Sequence, residues 1–372
     1  MEKIGRLIFA SSAENADILY ASGFDGHDPF FYFEVEERRG IVVPRLERGR
    51  AISEAKPGVE VFEFEEIIPE GERYSSEKIV EELSRRFGVD AWIVPRSFPC
   101  GLAYSLRDRG EDVEPAPDPF IPERRSKSDD EIKAISRALE LAENALGKVA
   151  DILAASAVDS DGTLRFEGET LTSERLKFEI AVEVLRGGGN ASDTIAACGK
   201  DASQPHNSGS GPIMAEKPIV VDIFPKGERG YHGDITRTFL KGKAPEIVAR
   251  AFDAVREARD AAIAVAAADA ETAELHRAAD AILKRHGFET ERRGDIHVGF
   301  FHGLGHGVGL DVHEPPRVSD KSGDVLREGD VVTIEPGLYY PEWGGVRLED
   351  MVAIRNGDAE NLTKFPTFLE IE

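Results

Sequence analysis

Four acids lie in otherwise apolar surroundings: Asp222 in PIVVDIF, Asp234 in GDITRTFL, Glu335 in VVTIEPGLYY and Glu349 in GVRLEDMVAI. A desolvated carboxylate is costly unless it is paired or bound to metal. One such acid reads first as half of a buried salt bridge. Four of them on two strand–turn–strand segments point to a shared cation. Close by lies FHGLGHGVGLDVHE, which sets His302, His306 and His313 among glycines that let backbone approach closely. The donors are mostly hard oxygens with one imidazole, a mixture that suits Mn, Co or Fe and tolerates Zn. Shared carboxylates favour two adjacent ions, on the order of 3.5–4 Å apart, as in hydrolases that activate water on two metals.

Other residues offer weaker chemistry. Cys198 stands near His206 in sequence, but no base pattern for a thiol nucleophile surrounds it. GLGHGVG lacks the Lys-Ser/Thr ending and the helix opening of a phosphate loop. His27, His232, His276, His286 and His297 are scattered and read as ordinary histidines. The run Phe30 to Phe33 reads as core or subunit interface rather than as a platform for stacking bases.

The elements that must position the acids follow from periodicity. In PIVVDIF, Val220, Asp222 and Phe224 share one strand face, and Ile219, Val221 and Ile223 the other. The two acid-bearing segments share a layout, an apolar strand and a returning strand joined through glycine-containing turns, and read as a weak internal repeat. Helices are expected at about 128–156, opened by a Ser128/Glu131 capping box, and from Thr172 or Ser173 to the glycines at 187–189. Further helices are expected at about 245–268 and 272–286. Upstream, strands are expected at Ile4–Ala10, Phe30–Val35, Gly40–Pro44, Glu60–Phe64 and Ala91–Val94, with helices near 12–21 and 75–87. The proline-rich stretch EPAPDPFIPERRSKSDDE reads as a stiff connector, and the domain boundary is placed at 122.

Bulk properties narrow the function classes. A chain of 372 residues with 41% hydrophobic content can build two cored domains. No eighteen apolar residues run together, so no membrane span is expected. A formal net charge of −24 repels phosphate backbones and anionic lipid, which disfavours nucleic-acid and membrane roles. It reads first as a solubility device, with adaptation to a salty or hot cytoplasm as the sharper alternative. The cysteines, Cys100 and Cys198, fall one in each half and argue for a reducing, cytoplasmic compartment over a disulfide framework.

At SQPHNSG, VVDIF, GDITRTF, GLGHGVGLDVHE, VVTIEPGLY and GVRLEDMV, taken in order, the sequence resembles the pita-bread metallopeptidase family, in its Xaa-Pro dipeptidase (prolidase) and Xaa-Pro aminopeptidase branch. The resemblance implies an α/β (α+β) chain with two domains. A small creatinase-like mixed-sheet domain would occupy residues 1–122, and a pita-bread catalytic domain of two pseudo-twofold helix-plus-hairpin halves residues 123–372. It implies two divalent ions, Mn or Co first, with Fe or Zn tolerated. Asp222 would bind one ion, Asp234 would bridge both, His306 would complete one coordination shell, Glu335 would bind and Glu349 would bridge. Glu335 would also shuttle the proton. His206 and His313 would contact the substrate around the scissile carbonyl, and His302 would be a further active-site histidine. Arg317 would pair with the proline carboxylate of a dipeptide, and Arg347 would orient Glu349. The substrates implied are Xaa-Pro peptides, with dipeptides favoured over longer ones, and the assembly implied is a homodimer. A non-catalytic binding protein on the same fold is the alternative of another class.

The chain departs from the family pattern at two places. The interval from Asp222 to Asp234 is one residue longer than in many relatives, and Gly233 stands where serine commonly precedes the second acid. Both changes fall in or beside a turn, so the ligands are expected to survive.

Overall fold

Phe30, Phe31, Tyr32 and Phe33 are all buried. Successive residues of a strand point to opposite faces, so such a run requires a sheet covered on both sides. The computed structural model, which describes residues 2–372 apart from Pro69 and Ser192, shows that sheet. Its strands are β1 (Ile4–Ala10), β2 (Phe30–Val35), β3 (Arg38–Val43), β4 (Val59–Glu63), β5 (Ala91–Val94) and β6 (Asp112–Pro115), in the order β4-β3-β2-β1-β5-β6. Pairing is antiparallel at β1–β2 and β2–β3, and parallel at β3–β4, β1–β5 and β5–β6. Phe31 and Phe33 join one core with Leu83 and Trp92, whereas Phe30 and Tyr32 join the other with Ile18 and Phe120. The helices of this unit are α1 (Ala16–Ser22), α2 (Arg48–Glu54), α3 (Phe64–Ile67), α4 (Ser76–Phe87) and α5 (Cys100–Asp108).

Three local outcomes differ from the sequence reading. The first helix begins four residues later than position 12, because Asn15 caps it by accepting from Ile18 N at 2.9 Å. Phe64 opens α3 instead of closing the strand before it, under a capping box of Glu63 and Glu66. Pro115, read as connector, ends the edge strand β6, a position where a missing N–H costs no ladder bond.

The chain divides into two units, Met1–Arg124 and Arg125–Glu372. In the second, Ser128 and Glu131 form both capping-box bonds at the start of α6 (Asp129–Ala155). A small three-stranded sheet of β7 (Ala157–Val158), β8 (Leu164–Phe166) and β9 (Glu169–Thr170) follows. Thr172 caps α7 (Ser173–Arg186), which buries Leu176, Ile180 and Val184. Then come β10 (Ile195–Cys198), β11 (Ile219–Ile223) and β12 (Ile235–Lys241). Next are α8 (Glu246–Ala264), α9 (Thr272–Arg285) and a hairpin of β13 (Glu291–Arg293) with β14 (Ile296–Val298). The remaining strands are β15 (Gly305–Gly307), β16 (Glu314–Val318), β17 (Val331–Ile334), β18 (Gly337–Tyr340), β19 (Gly344–Arg347), β20 (Asp350–Arg355), β21 (Asp358–Asn361) and β22 (Glu370–Ile371).

One half is the sheet β10-β11-β12-β22 beside the pair α6–α7. The other half is the sheet β16-β15-β17-β20-β21 beside the pair α8–α9, with β18–β19 as a separate ribbon. The helix expected to reach 268 stops at Ala264, despite an alanine-rich sequence. Ala268 N instead donates to Gly357 O, and Asp269 N to Leu326 O, so tertiary pairing overrides helix propensity there. Among the described residues no helix is long and apolar enough to cross a membrane.

Candidate metal and peptide site

Asp222 lies within β11, directly opposite Thr236 of β12, and Asp234 stands one residue before β12 begins. Glu335 follows the last residue of β17, and Glu349 precedes the first of β20. His306 is the middle residue of β15, which pairs through Gly307 with Val332 of β17. Both neighbours of His306 must be glycine. A Cβ on Gly305 would run into the Thr333 carbonyl, and one on Gly307 into those of Glu314 and Pro315. Asp234, Glu349 and His306 each offer a ligand atom, all within 4.8 Å of one another. The His306 Nε2 also lies 3.8 Å from Asp234 Oδ2 and 3.4 Å from Glu335 Oε1.

The electrostatics call for a cation. Burial, and then the charges of Glu349, Asp222 and Glu335, hold the Asp234 carboxyl well above the usual carboxylate range. Burial, followed by Glu335 and Asp222, does the same to Glu349. Glu335 is pushed up to about 8, chiefly by burial, with Arg347 working in the other direction. Asp222 Oδ1 is buried with no hydrogen-bond partner among the described residues. Orphaned carboxylate oxygen, hard donors and one imidazole together fit divalent ions. Burial brings His306 down to about 4, so its ring is neutral and free to ligate.

Arg347 is placed differently from the sequence expectation. It bonds directly to Asp222, Nη2 to Oδ2 at 2.5 Å, and not to Glu349. Its Nε donates to Thr236 Oγ1 at 3.0 Å, and Thr236 in turn donates to Glu349 Oε2 at 2.7 Å. The influence on Glu349 therefore passes through a threonine. Arg347 Nη1 also donates to the carbonyl of Pro205, beside His206, and to the hydroxyl of Tyr339 at 3.2 Å.

The histidines divide into two kinds. His302 has both ring nitrogens engaged, Nδ1 with the Gly303 carbonyl at 2.7 Å and Nε2 with Tyr339 OH at 3.1 Å. Burial drives it to about 3, so it stays neutral and walls the pocket. His206 and His313 are exposed on the lining of a cleft of about 910 Å³ that also holds His302, His306, Arg317, Glu335 and Arg347. The rings of His313 and His306 stand 4.3 Å apart at 75°. Arg317 is the register partner of His306 across the β15–β16 ladder and so projects on the same face. Among the described residues its guanidinium has no carboxylate partner, whereas its backbone N–H donates to Asp324.

Sequence reasoning passed over Thr236, Tyr339 and the cleft-lining His276 and His297. For Thr236 a signal existed, since period two from Asp234 puts it on the ligand's face. For Tyr339 none did, because GLYY does not say which phenol turns inward. His276, read as ordinary, stacks on Phe300 at 4.9 Å. Gly233 has a physical reason: a Cβ there would strike the α6 backbone at Ala138 and Leu139. The segment before Asp234 turns through Arg229 and Gly230, which have φ of 62° and 83°.

The model of Metallopeptidase family M24 matches residues 133–356, the span that holds every one of these groups. The chain belongs to metallopeptidase family M24. This M24 chain is 30% identical over 354 residues to the Xaa-Pro dipeptidase of Pyrococcus horikoshii, covering 95% of this chain and 91% of that one. The Xaa-Pro dipeptidase of Pyrococcus furiosus is 30% identical over 353 residues, covering 95% and 92%. Among solved structures, the prolidase of P. horikoshii OT3 aligns with a TM-score of 0.81 and 28% identity, over 98% of this chain and 95% of that one. The M24 chain accordingly has the two-domain, pita-bread α/β fold expected of it. It is a hydrolase, a metal-dependent peptidase that takes divalent metal ions.

Proposed function

We propose that the chain hydrolyses the bond between an N-terminal residue and proline, with Xaa-Pro dipeptides as its preferred substrates. The relatives named Xaa-Pro dipeptidase, alignable over nearly the whole chain, support that activity. The observation that carries the preference for dipeptides is Arg317, a guanidinium without a carboxylate partner among the described residues, on the face that presents His306. A planar fork of donors pairs with both oxygens of a carboxylate, and a dipeptide's C-terminus is a carboxylate close to the scissile bond.

Two divalent ions, Mn or Co first and Fe or Zn tolerated, would be held by Asp222, Asp234, His306, Glu335 and Glu349. When bound, such ions supply an activated water and polarise the carbonyl under attack. Glu335 would carry a proton from that water to the leaving imide nitrogen. His313 and His206, exposed on the cleft wall, would donate to the carbonyl oxygen as negative charge develops there. Arg347 would hold Asp222 in place, and His302, locked by Tyr339 and Gly303, would form the apolar-sided wall that a proline ring needs. A tertiary amide offers no N–H, so recognition has to rest on such a wall and on the carboxylate.

The cleft continues past Arg317 to Ser319, Asp320 and Lys321, and this favours longer Xaa-Pro peptides as a second reading. Hydrolysis of Xaa-Pro and Xaa-Pro-Yaa, measured after chelation and return of Mn or Co, decides between them. Metal-dependent cleavage confined to the dipeptide is expected. Equal cleavage of the tripeptide would make the chain an aminopeptidase, and cleavage of neither would overturn the Xaa-Pro reading. We further propose a domain boundary at 122, with a creatinase-like domain before it, and a homodimer, which light scattering would overturn by finding monomer alone. The free thiols of Cys100 and Cys198 support a cytoplasmic location.

A further inference from the structure

The Lys127 side chain is 1% exposed, and lysine is almost never buried unless paired. Its partner is Glu314, itself 6% exposed, with Nζ and Oε1 at 2.5 Å. Neither residue belongs to the ligand set or to the reaction steps above. Glu314 nonetheless occupies a sensitive place. It directly follows His313, and it opens β16 as the register partner of Gly307, next to His306. The ladder shifts register at this point. His306 faces Arg317 while Gly307 faces Glu314, so Pro315 and Pro316 have no partners across the ladder. Where a ladder is broken in this way, backbone pairing alone does not fix the chain's direction.

Glu314 supplies what the ladder lacks. Its carboxylate fills the space where a Cβ on Gly309 would lie, and its Oε2 faces Asp311 N at 3.5 Å. The carboxylate thus sits inside the turn from Gly309 to Glu314 that carries His313. Lys127 approaches it from the connector, and that connector is firmly held. Lys127 N donates to Gly329 O at 2.8 Å, Ser126 Oγ to Glu328 O at 3.0 Å, and Arg125 pairs with Asp330 at 2.8 Å. The next residue, Ser128, caps α6.

We propose that Lys127 is a positioning residue for His313: from a rigid connector it anchors the Glu314 carboxylate, which fixes the turn that presents His313 to the cleft. This rests on the role given to His313 above. A displacement of about 1 Å at such a group costs on the order of a hundredfold in rate.

The test uses the full-length holoenzyme and the variants Lys127→Met, Glu314→Gln, the double variant and Lys127→Arg. Steady-state kinetics on an Xaa-Pro dipeptide are read together with metal content, thermal melting and, in the diamagnetic Zn-loaded form, the histidine ring resonances in NMR, the His313 signal being assigned with His313→Asn. Lys127→Met is expected to lower kcat by about tenfold or more, with KM within about threefold and metal content unchanged. It should also move the His313 resonance while leaving that of His27 in place. The double variant should be no worse than the poorer single one, because both break one device, and Lys127→Arg should recover part of the loss. A Lys127→Met protein that melts lower yet keeps kcat and the His313 signal would overturn the proposal, as would losses that multiply in the double variant. If Lys127→Met does not fold, Glu314→Gln, which leaves a neutral isostere, answers the same questions. If wild type cleaves no Xaa-Pro peptide, the functional reading fails, and the His313 resonance still decides the positioning.

Discussion

The two acid-bearing arms reach the same cluster by different means. In the first, β11 and β12 pair without interruption from Ile219 opposite Phe239 to Ile223 opposite Ile235, and Asp222 sits inside that ladder. In the second, β17 and β20 pair from Val331 opposite Ala353 to Ile334 opposite Asp350, and then the chain leaves the sheet. It resumes as the separate ribbon β18–β19, with Glu335-Pro336 and Leu348-Glu349 at the two breaks. Pro336 has no N–H to continue the ladder. The first arm aims Asp222 by strand geometry, and the second aims Glu335 and Glu349 by breaking the strand. Their supports are exchanged: Arg347 of the second arm holds Asp222 of the first, and Thr236 of the first holds Glu349 of the second. Asp222 and Glu349 are therefore each braced from the opposite arm, and the cluster is assembled only when both arms meet.

The strongest way to break this comparison removes one acid from each arm. Asp234→Asn and Glu349→Gln should each lose bound metal and bring peptide hydrolysis to background, while circular dichroism shows the fold retained. Full metal occupancy and activity in either variant would mean that the two arms do not share one site. Removing the braces should cost less. Arg347→Met is expected to lower activity or metal affinity by about 10- to 100-fold, the usual range for groups that orient ligands. Thr236→Val should fall at or below the low end of that range, since Arg347 would still hold Asp222. A larger loss from Thr236→Val than from Arg347→Met would reverse the assignment of which brace matters.

A pH series on chelated protein sharpens the comparison further. The carboxyls of Asp234 and Glu349 lie well above the usual range and that of Glu335 near 8, in each case chiefly through burial. Above about pH 4, the unfolded chain has released these protons while the folded chain retains them. The folded state then binds more protons at these groups, so the stability they contribute is fullest below about pH 4 and falls as pH rises towards 8. Thermal melting of the chelated protein should drop across that interval, and saturating Mn or Co should flatten the trend. A metal-free protein equally stable at pH 5 and pH 8 would show that the acids do not form one repelling cluster.

Much of this was legible in the residues, and what was not has physical causes. The four acids and His306 stand out because each breaks an apolar or glycine-rich pattern, which is a local property. Helix starts were legible where a side chain caps them, as at Ser128 and Thr172. The braces were not, because Arg347 and Asp222 are 125 positions apart and only the meeting of the arms pairs them. The early end of α8 at Ala264 was hidden for the same reason, since its cause is pairing with Gly357 and Leu326. Tyr339 looks like any core tyrosine until its hydroxyl is seen between Arg347 and His302.

The smallest effect belongs to Cys198, and it tests the rigidity of the first arm. Cys198 lies on β10, opposite Ile219 of β11, in the ladder that also pairs Ile195 with Asp222. A thiol near His206 in sequence invites a reading as nucleophile, but a nucleophile needs an accessible thiolate. Here the sulfur accepts from Met214 N at 3.4 Å, and burial pushes the thiol up to about 11. A shift in that direction favours the neutral form, so at pH 8 the thiolate fraction is about 10⁻³ or less. Cys198→Ser is therefore expected to keep kcat/KM within about twofold, since a hydroxyl replaces the sulfur between the same backbone groups. Iodoacetamide should modify the exposed Cys100 first and leave hydrolysis intact. Rapid alkylation of Cys198 in the folded protein would mean that the β10–β11 ladder opens readily, and that Asp222 is not held by a rigid strand.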